Sequence, residues 1–142
     1  GPPCAPGLEA QLPGWLKQLR AELGPADASL GVLAVAVPGV VPSVAAGSST
    51  ARRVRLAPAL GWEDFPLAEM LGAATGLSVL LENDVNAMAL AEHRQGGSQR
   101  QHLLFIALGS GIGAGLIVSG QLYRGSAAAA GEIGYSLLPG LY

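Results

Sequence analysis

Cysteine, charge and long apolar runs are all scarce in this sequence, and each shortage excludes a class of protein. The single cysteine, Cys4, rules out an internal disulfide and a cysteine zinc site, and it suits a reducing compartment. Eight basic and ten acidic residues give a net charge of -2 without a basic stripe, which disfavours a free-standing nucleic-acid binder. The longest apolar stretch, residues 30–41, is broken by Pro38-Gly39, and a membrane helix needs about 20 residues. We therefore expect a cytoplasmic protein without membrane contact.

Apolar residues are abundant by contrast. They make up 50% of the chain, whereas charged residues are 13% and aromatic residues 5%. This balance excludes intrinsic disorder as the main state, because disordered chains are poor in apolar residues and rich in charge. A chain of 142 residues suits one domain or slightly less than two small ones, and it is long enough to bury a core.

The order of the apolar segments predicts a layered α/β fold. Three segments have the spacing or the flanking residues of helices: 8–23, 66–76 and 83–94. Five short segments are typical of strands, the first of them covered on both faces: 30–37, 51–57, 77–82, 102–108 and 114–119. The first helix begins either at Leu8 or at Pro13-Gly14. Interleaved strands and helices favour a sheet that is at least partly parallel, and the polar stretch 95–101 predicts a domain boundary or hinge.

A carboxamide and a carboxylate, Asn83 and Asp84, stand where a predicted buried strand meets a predicted helix. Ligands of open α/β sheets bind at the carboxyl ends of strands, so both side chains are candidates for a binding site. Asp84 is suited to accept a proton from a substrate hydroxyl, and Asn83 is suited to hydrogen-bond sugar-type hydroxyls. The alternative is that Asp84 is only a helix cap, which stabilises by about 1 kcal/mol, and spacing alone leaves both interpretations open.

A glycine-rich stretch, residues 108–116, is the second candidate. Its small residues allow backbone amides to approach an anion closely: Gly109, Ser110, Gly111, Gly113 and Gly115. The stretch matches neither the dinucleotide fingerprint nor the P-loop, and it leads into a strand rather than a helix. A hairpin turn that binds no ligand is the alternative, and the two interpretations carry equal weight.

Glu132 is the third candidate, because it is a lone acid among glycine and alanine residues. Its carboxylate needs a polar partner or faces a cavity, unless the segment 131–135 is a solvated turn. The two histidines, His93 and His102, have no acidic or cysteine partner at metal-binding spacing, and we expect both at the surface.

Taken together and in this order, five stretches resemble the ROK family, which groups bacterial sugar kinases with sugar-responsive repressors. They are VAVPGVV (35–41), APALGWEDFPLAEML (57–71), ENDVNAMALAE (82–92), LGSGIGAGLIVSGQLYRG (108–125) and AGEIGY (130–135). The resemblance covers residues 30–138 and implies an actin-like ATPase, ribonuclease-H-like fold that holds a sugar between two lobes. We expect that fold to be incomplete here, in three parts: a leading segment and helix (1–29), the remainder of the amino-terminal lobe (30–98) and the start of the carboxyl-terminal lobe (99–142).

The resemblance implies roles for individual residues. Contacts with the sugar are implied for five residues: Gly39, Asn83, Asp84, Glu132 and Tyr135. Contacts with the phosphates of ATP, in a kinase that uses ATP and Mg²⁺, are implied for four: Gly109, Ser110, Gly111 and Gly113. In such a kinase Asp84 is the base that deprotonates the sugar hydroxyl, whereas Gly39 acts through its backbone and Tyr135 through its hydroxyl.

Two departures from the family pattern limit the chemistry. Family kinases carry an amino-terminal Asp-x-Gly-x-Thr phosphate loop, and no such loop occurs in this sequence. The family's zinc site uses the histidine of a Gly-Glu-Ile-Gly-His run and a later cysteine cluster, but here Tyr135 replaces the histidine and the cluster is absent. We therefore expect no zinc or other cofactor, and negligible kinase activity for this chain alone.

Three functions remain open, and the broken zinc motif favours the first. It is a sugar-sensing effector domain of a ROK-type transcriptional regulator, which contacts DNA only through a helix-turn-helix segment that these residues lack. The second is a portion of an ATP-dependent sugar kinase, similar to glucokinase or fructokinase. The third is a non-catalytic module that oligomerises. A small sugar is the expected ligand of the first two, and uncovered apolar faces predict a homo-oligomer.

Overall fold

The computed structural model describes residues 7–23, 31–42, 53–96 and 100–135. Its helices and strands, in chain order, are α1 (Leu8–Leu23), β1 (Val32–Val37), β2 (Val54–Ala57), β3 (Trp62–Phe65), α2 (Leu67–Thr75), β4 (Ser78–Asn83), α3 (Asp84–Gln95), β5 (Leu103–Leu108), β6 (Ile112–Val118) and β7 (Gln121–Tyr123). Two short 3-10 turns, Pro58–Leu60 and Ile133–Tyr135, complete the described elements.

The three predicted helices are all present. α1 begins at Leu8 and includes Pro13, so the earlier of the two predicted starts is right. α2 ends at Gly76, which has the left-handed backbone (φ 73°) that commonly terminates a helix. Among the described residues, no helix is long and apolar enough to cross a bilayer.

Packing divides the chain into two compact units, Gly1–Glu82 and Asn83–Tyr142. The change in composition at residues 95–101 predicted a boundary after α3. The division by packing precedes α3, because this helix packs on β5 and β6, and the boundary at 95–101 stays a prediction. By packing, α3 therefore groups with the second unit.

In the first unit, β1 pairs with β4, and β2 pairs with β3 in an antiparallel hairpin. The buried core residues come from three of these strands, from α2 and from a connecting segment: Val37, Val41, Val54, Ala57, Trp62, Leu67 and Leu71. Leu12 and Leu16 of α1 pack against this core. The expectation that β1 is covered on both faces is wrong in this chain, since Val32 is 51% exposed. Successive strand residues point to opposite faces, and only one face of β1 meets the core.

In the second unit, α3 lies on one face of an antiparallel sheet with the order β5-β6-β7. The register places Phe105 opposite Gly115 and Ala107 opposite Gly113. The opposite face of β5 and the neighbouring strand positions carry large apolar side chains that are about half exposed or more: Leu104, Ile106, Leu108, Ile112 and Tyr123. The sheet is thus covered on one side and apolar on the other.

Candidate functional site

The N-terminus of α3 holds the first two candidate residues. Asn83 ends β4 with an extended backbone and caps α3, since its Oδ1 accepts a hydrogen bond from the Asn86 N–H at 2.9 Å. Asp84 is the first helical residue, and its Oδ1 accepts a hydrogen bond from the Val85 N–H at 2.9 Å. Side-chain acceptors of this kind satisfy N–H groups that the helix cannot pair itself. The residue at the cap position is therefore Asn83 rather than Asp84.

Glu132 lies in the segment after β7 and is partly buried. Burial raises its pKa above the ordinary value of 4.5, and the negative charge of Asp84 raises that pKa further. Glu132 is therefore not a fully solvated turn residue. Asp84 and Glu132 belong to the same compact unit, Asp84 at the start of α3 and Glu132 on a segment hydrogen-bonded to β6, the strand on which α3 packs.

One hydrogen bond to β6 and one within the segment hold the residues around Glu132. The Ala114 N–H donates to the Gly131 carbonyl at 2.8 Å, and the Ile133 N–H donates to the same carbonyl at 2.8 Å. Gly131 has φ +91°, and a Cβ at this position would collide with the Ala114 carbonyl oxygen. Glycine alone tolerates this backbone together with so close an approach. Sequence reasoning missed Ala114, because a contribution from a backbone N–H leaves no signature in the residue type.

The glycine-rich stretch divides into two parts with different surroundings. Gly109, Ser110 and Gly111 form an exposed turn between β5 and β6, in which the Gly109 N–H donates to the Gly111 carbonyl at 2.9 Å. A Cβ at Gly109 or Gly111 would meet nothing within 4 Å. Gly113 lies within β6, where a Cβ would approach the Val85 Cγ2 of α3 to 2.9 Å. The turn has open space beside it, whereas Gly113 faces a helix.

The remaining two sugar-site candidates are Gly39 and Tyr135. Gly39 belongs to the first unit and has φ +105°, and the next residue, Val40, donates its N–H to the Leu56 carbonyl at 2.8 Å. Tyr135 ends the second 3-10 turn, and its side chain lies outside the described part of the chain. The sugar contacts implied for both residues stay predictions.

The histidines and acids provide no obvious metal centre in the part of the chain that the structure describes. His102 is exposed as predicted, and its Nδ1 accepts a hydrogen bond from the Ser119 N–H at 3.3 Å. His93 is partly buried in the last turn of α3, so the surface prediction holds only in part. Within residues 7–23, 31–42, 53–96 and 100–135, no three His, Cys, Asp or Glu side chains group closely enough to hold a metal ion.

The fold defines the class of protein through its likeness to solved structures. A ROK family glucokinase from Streptomyces griseus, solved in complex with glucose and AMPPNP, matches with a TM-score of 0.66 and 31% identity. The match covers 88% of this chain and 39% of that chain. The α/β fold of this protein is therefore the actin-like ATPase fold of ROK sugar kinases.

The chain belongs to the ROK family, whose sequence profile matches residues 8–140. A xylose repressor from Caldicellulosiruptor bescii is 33% identical over 107 residues, which are 75% of this chain and 25% of the repressor. A glucokinase from Halalkalibacterium halodurans is 42% identical over 77 residues, which are 54% of this chain and 23% of the glucokinase. The chain thus spans about a quarter of the length of these curated relatives, which include both a repressor and a kinase.

Proposed function

We propose that this chain is the sugar-sensing effector part of a ROK-type transcriptional regulator. The observation that carries the proposal is that β6 holds both segments, α3 through the contact of Gly113 with Val85 and the Glu132 segment through the Ala114–Gly131 hydrogen bond. The carboxyl groups of Asp84 and Glu132, each next to one of these contacts, offer several acceptor oxygens to sugar hydroxyls. Asn83 adds a carboxamide at the start of the same helix. Tyr135 is proposed to add a hydroxyl to these sugar contacts, and the backbone contact implied for Gly39 stays a separate prediction.

Relatives of both kinds match most of this chain, a xylose repressor over 75% of it and a solved glucokinase over 88%. One observation favours a regulator over a kinase. Tyr135 stands where the family's zinc-binding histidine is expected, and a phenol does not replace imidazole as a zinc ligand. Contact with DNA is proposed to belong to a segment outside these residues, and the site of action is proposed to be the cytoplasm.

Isothermal titration calorimetry of the purified chain tests sugar recognition. The sugars are D-glucose, D-xylose and N-acetyl-D-mannosamine, so that a hexose, a pentose and an amino sugar are all included. We expect one of them to bind, and Asp84→Asn to weaken that binding about tenfold or more, because it removes a charged acceptor. The matched control is Glu69→Gln, an exposed acid in α2 of the first unit, and we expect it to bind like the wild type. Absence of binding heat with all three sugars contradicts the proposal.

An ATP-dependent sugar kinase is the second candidate, favoured by the 42% identity to a glucokinase. ATP and Mg²⁺ would then meet the exposed turn Gly109–Gly111, whose backbone has open space beside it. Gly113 fits this role poorly, because Val85 occupies the space on its side-chain face. A coupled assay of ATP turnover separates the candidates. We expect no sugar-dependent turnover, whereas turnover that Asp84→Asn abolishes would favour the kinase.

Self-association is proposed as part of this function, through the uncovered face of the β5–β7 sheet. Large apolar side chains on this face include Leu104 at 62% exposure and Leu108 at 78%. Contiguous apolar patches of this kind mark interaction surfaces in soluble proteins. A monomer at high concentration in light scattering contradicts the proposed oligomer.

A further inference from the structure

The helix α3 packs closely against β6 at two glycine positions of that strand. A Cβ at Gly113 would lie 2.9 Å from the Val85 Cγ2, and a Cβ at Gly115 would lie 2.5 Å from the Ala89 Cβ. The two glycines are two residues apart and therefore share the face of the strand that α3 covers. A side chain at Gly113 would displace the Val85 side chain, and one at Gly115 would press on Ala89 and on the Val85 carbonyl of the helix backbone, since real Cβ atoms do not approach so closely.

Val85, which contacts Gly113, is the residue after Asp84 and is hydrogen-bonded to it. Val85 follows Asp84, and the Val85 N–H is the donor to Asp84 Oδ1 at 2.9 Å. The next N–H, that of Asn86, is the donor to the capping oxygen of Asn83 at 2.9 Å. A displacement of Val85 therefore changes the turn that holds the Asn83 and Asp84 side chains.

Ala114, the residue after Gly113 on β6, is hydrogen-bonded to the segment that carries Glu132. The Ala114 N–H binds the Gly131 carbonyl at 2.8 Å, and Glu132 follows Gly131. Consecutive residues of one strand thus contact both segments, Gly113 contacting α3 through Val85 and Ala114 contacting the Glu132 segment through its N–H.

We propose that Gly113 is a positioning residue for the Asp84–Glu132 site rather than a contact for phosphate. It acts through Val85, by allowing the first turn of α3 to lie against β6 at the depth that brings Asp84 to Glu132. Gly115 supports the same approach one turn further along α3, through Ala89. The inference rests on the proposed sugar site for its functional consequence, but not for the positions of the two carboxyl groups.

The test compares Gly113→Ala with the double variant Val85→Ala/Gly113→Ala. In the double variant the Cγ2 contact is removed and the nearest Val85 atom left is its Cβ, at 3.6 Å from the added methyl, which is an ordinary contact. Val85→Ala alone and Gly14→Ala are the controls, because a Cβ at Gly14 meets nothing within 4 Å. Circular dichroism establishes that each variant is folded.

The first readout is the titration of the Glu132 carboxyl carbon, followed by NMR. In Gly113→Ala, Asp84 moves away from Glu132, so the Glu132 pKa falls toward 4.5, and the double variant restores it. A general loss of stability would not shift this titration. If Gly113→Ala does not fold, Val85→Ile enlarges the same contact by one methyl group, and an unchanged Glu132 titration in that folded variant overturns the inference.

The second readout is calorimetric affinity for whichever of D-glucose, D-xylose and N-acetyl-D-mannosamine the wild type binds most tightly. We expect Gly113→Ala to lose about tenfold in affinity and the double variant to return to within about threefold of the wild type. Folded Gly113→Ala with wild-type affinity and wild-type titration overturns the inference, and so does a loss that the double variant fails to regain. Absence of sugar binding by the wild type refutes the proposed function instead, and the Glu132 titration then still decides the positioning role.

Discussion

The cap of α3 and the proposed sugar contact use the same side chain, and two substitutions of Asn83 separate these roles. Asn83→Ala removes both the capping oxygen and the carboxamide. Asn83→Ser removes the carboxamide but keeps a side-chain oxygen that accepts from the helix N–H groups, since serine and asparagine are comparable caps. Both variants are neutral at residue 83, so neither adds a charge beside Asp84 and Glu132.

The stability that Asn83→Ala is expected to lose follows from one capping hydrogen bond at a buried position. Asn83 is 9% exposed, and its Oδ1 accepts from the Asn86 N–H at 2.9 Å. Loss of such a cap costs about 1 kcal/mol, which corresponds to about 4 °C in the melting temperature of a chain of this size. It also corresponds to about fivefold faster hydrogen exchange at the Asn86 amide, if that amide exchanges by opening of the first helical turn. Asn83→Ser should recover at least about half of the stability.

The assays are thermal unfolding, amide hydrogen exchange and sugar titration, with the exposed β4 residue Ser78 changed to alanine as the control. We expect Asn83→Ala to lose stability and sugar affinity, and Asn83→Ser to lose mainly affinity, by about tenfold. Equal destabilisation by the two substitutions would refute the capping argument. Wild-type affinity in Asn83→Ser would refute the sugar contact of Asn83.

Glu132→Gln tests the raised pKa of Glu132, which burial and then the charge of Asp84 cause, by thermal unfolding between about pH 4 and 7. Because the folded-state pKa of Glu132 lies above 4.5, the folded chain binds more protons than the unfolded chain just above that pH, and stability falls as pH rises through this interval. The variant lacks this fall and should be more stable at pH 7 by less than about 1 kcal/mol, whereas an identical pH profile contradicts the raised pKa of Glu132. Leu71→Ala, at a core residue 1% exposed, should cost about 2–5 kcal/mol in denaturant unfolding, and Leu80→Ala, at a residue 62% exposed, far less. Ile106→Lys should lower the mass measured by light scattering, because it places a charge on the apolar face of the second unit, and an unchanged oligomer would exclude that face.

Local patterns predicted the elements whose signals are contained in their own residues. The helix α2 is bounded by Pro66 and Gly76, and the junction of β4 and α3 is marked by Asn83. The strand β3 was not predicted, because its sequence carries Glu63 and Asp64, and it forms through pairing with β2 in the register that places Leu56 opposite Glu63. Pairing between strands depends on residues outside the strand itself, so a short polar strand leaves little local signal.

The candidate site shows the same division between local and long-range information. The position of Asn83 and Asp84 at the start of α3 follows from local sequence, whereas the effect of Asp84 on Glu132 depends on how the segment after β7 returns to β6. The glycine-rich stretch reads as one motif in sequence. Its division into an open turn and the strand position Gly113 follows from the face of β6 on which α3 packs, which no spacing of glycines specifies.

An NMR titration of the ¹⁵N-labelled wild-type chain with D-glucose, D-xylose and N-acetyl-D-mannosamine tests whether Asp84 and Glu132 bind one sugar. We expect one sugar to shift the amide resonances of Val85 and Glu132 together and saturably, since one residue follows Asp84 and the other carries the second carboxyl group. Shifts confined to the turn Gly109–Gly111, or no shifts with any of the three sugars, would contradict it.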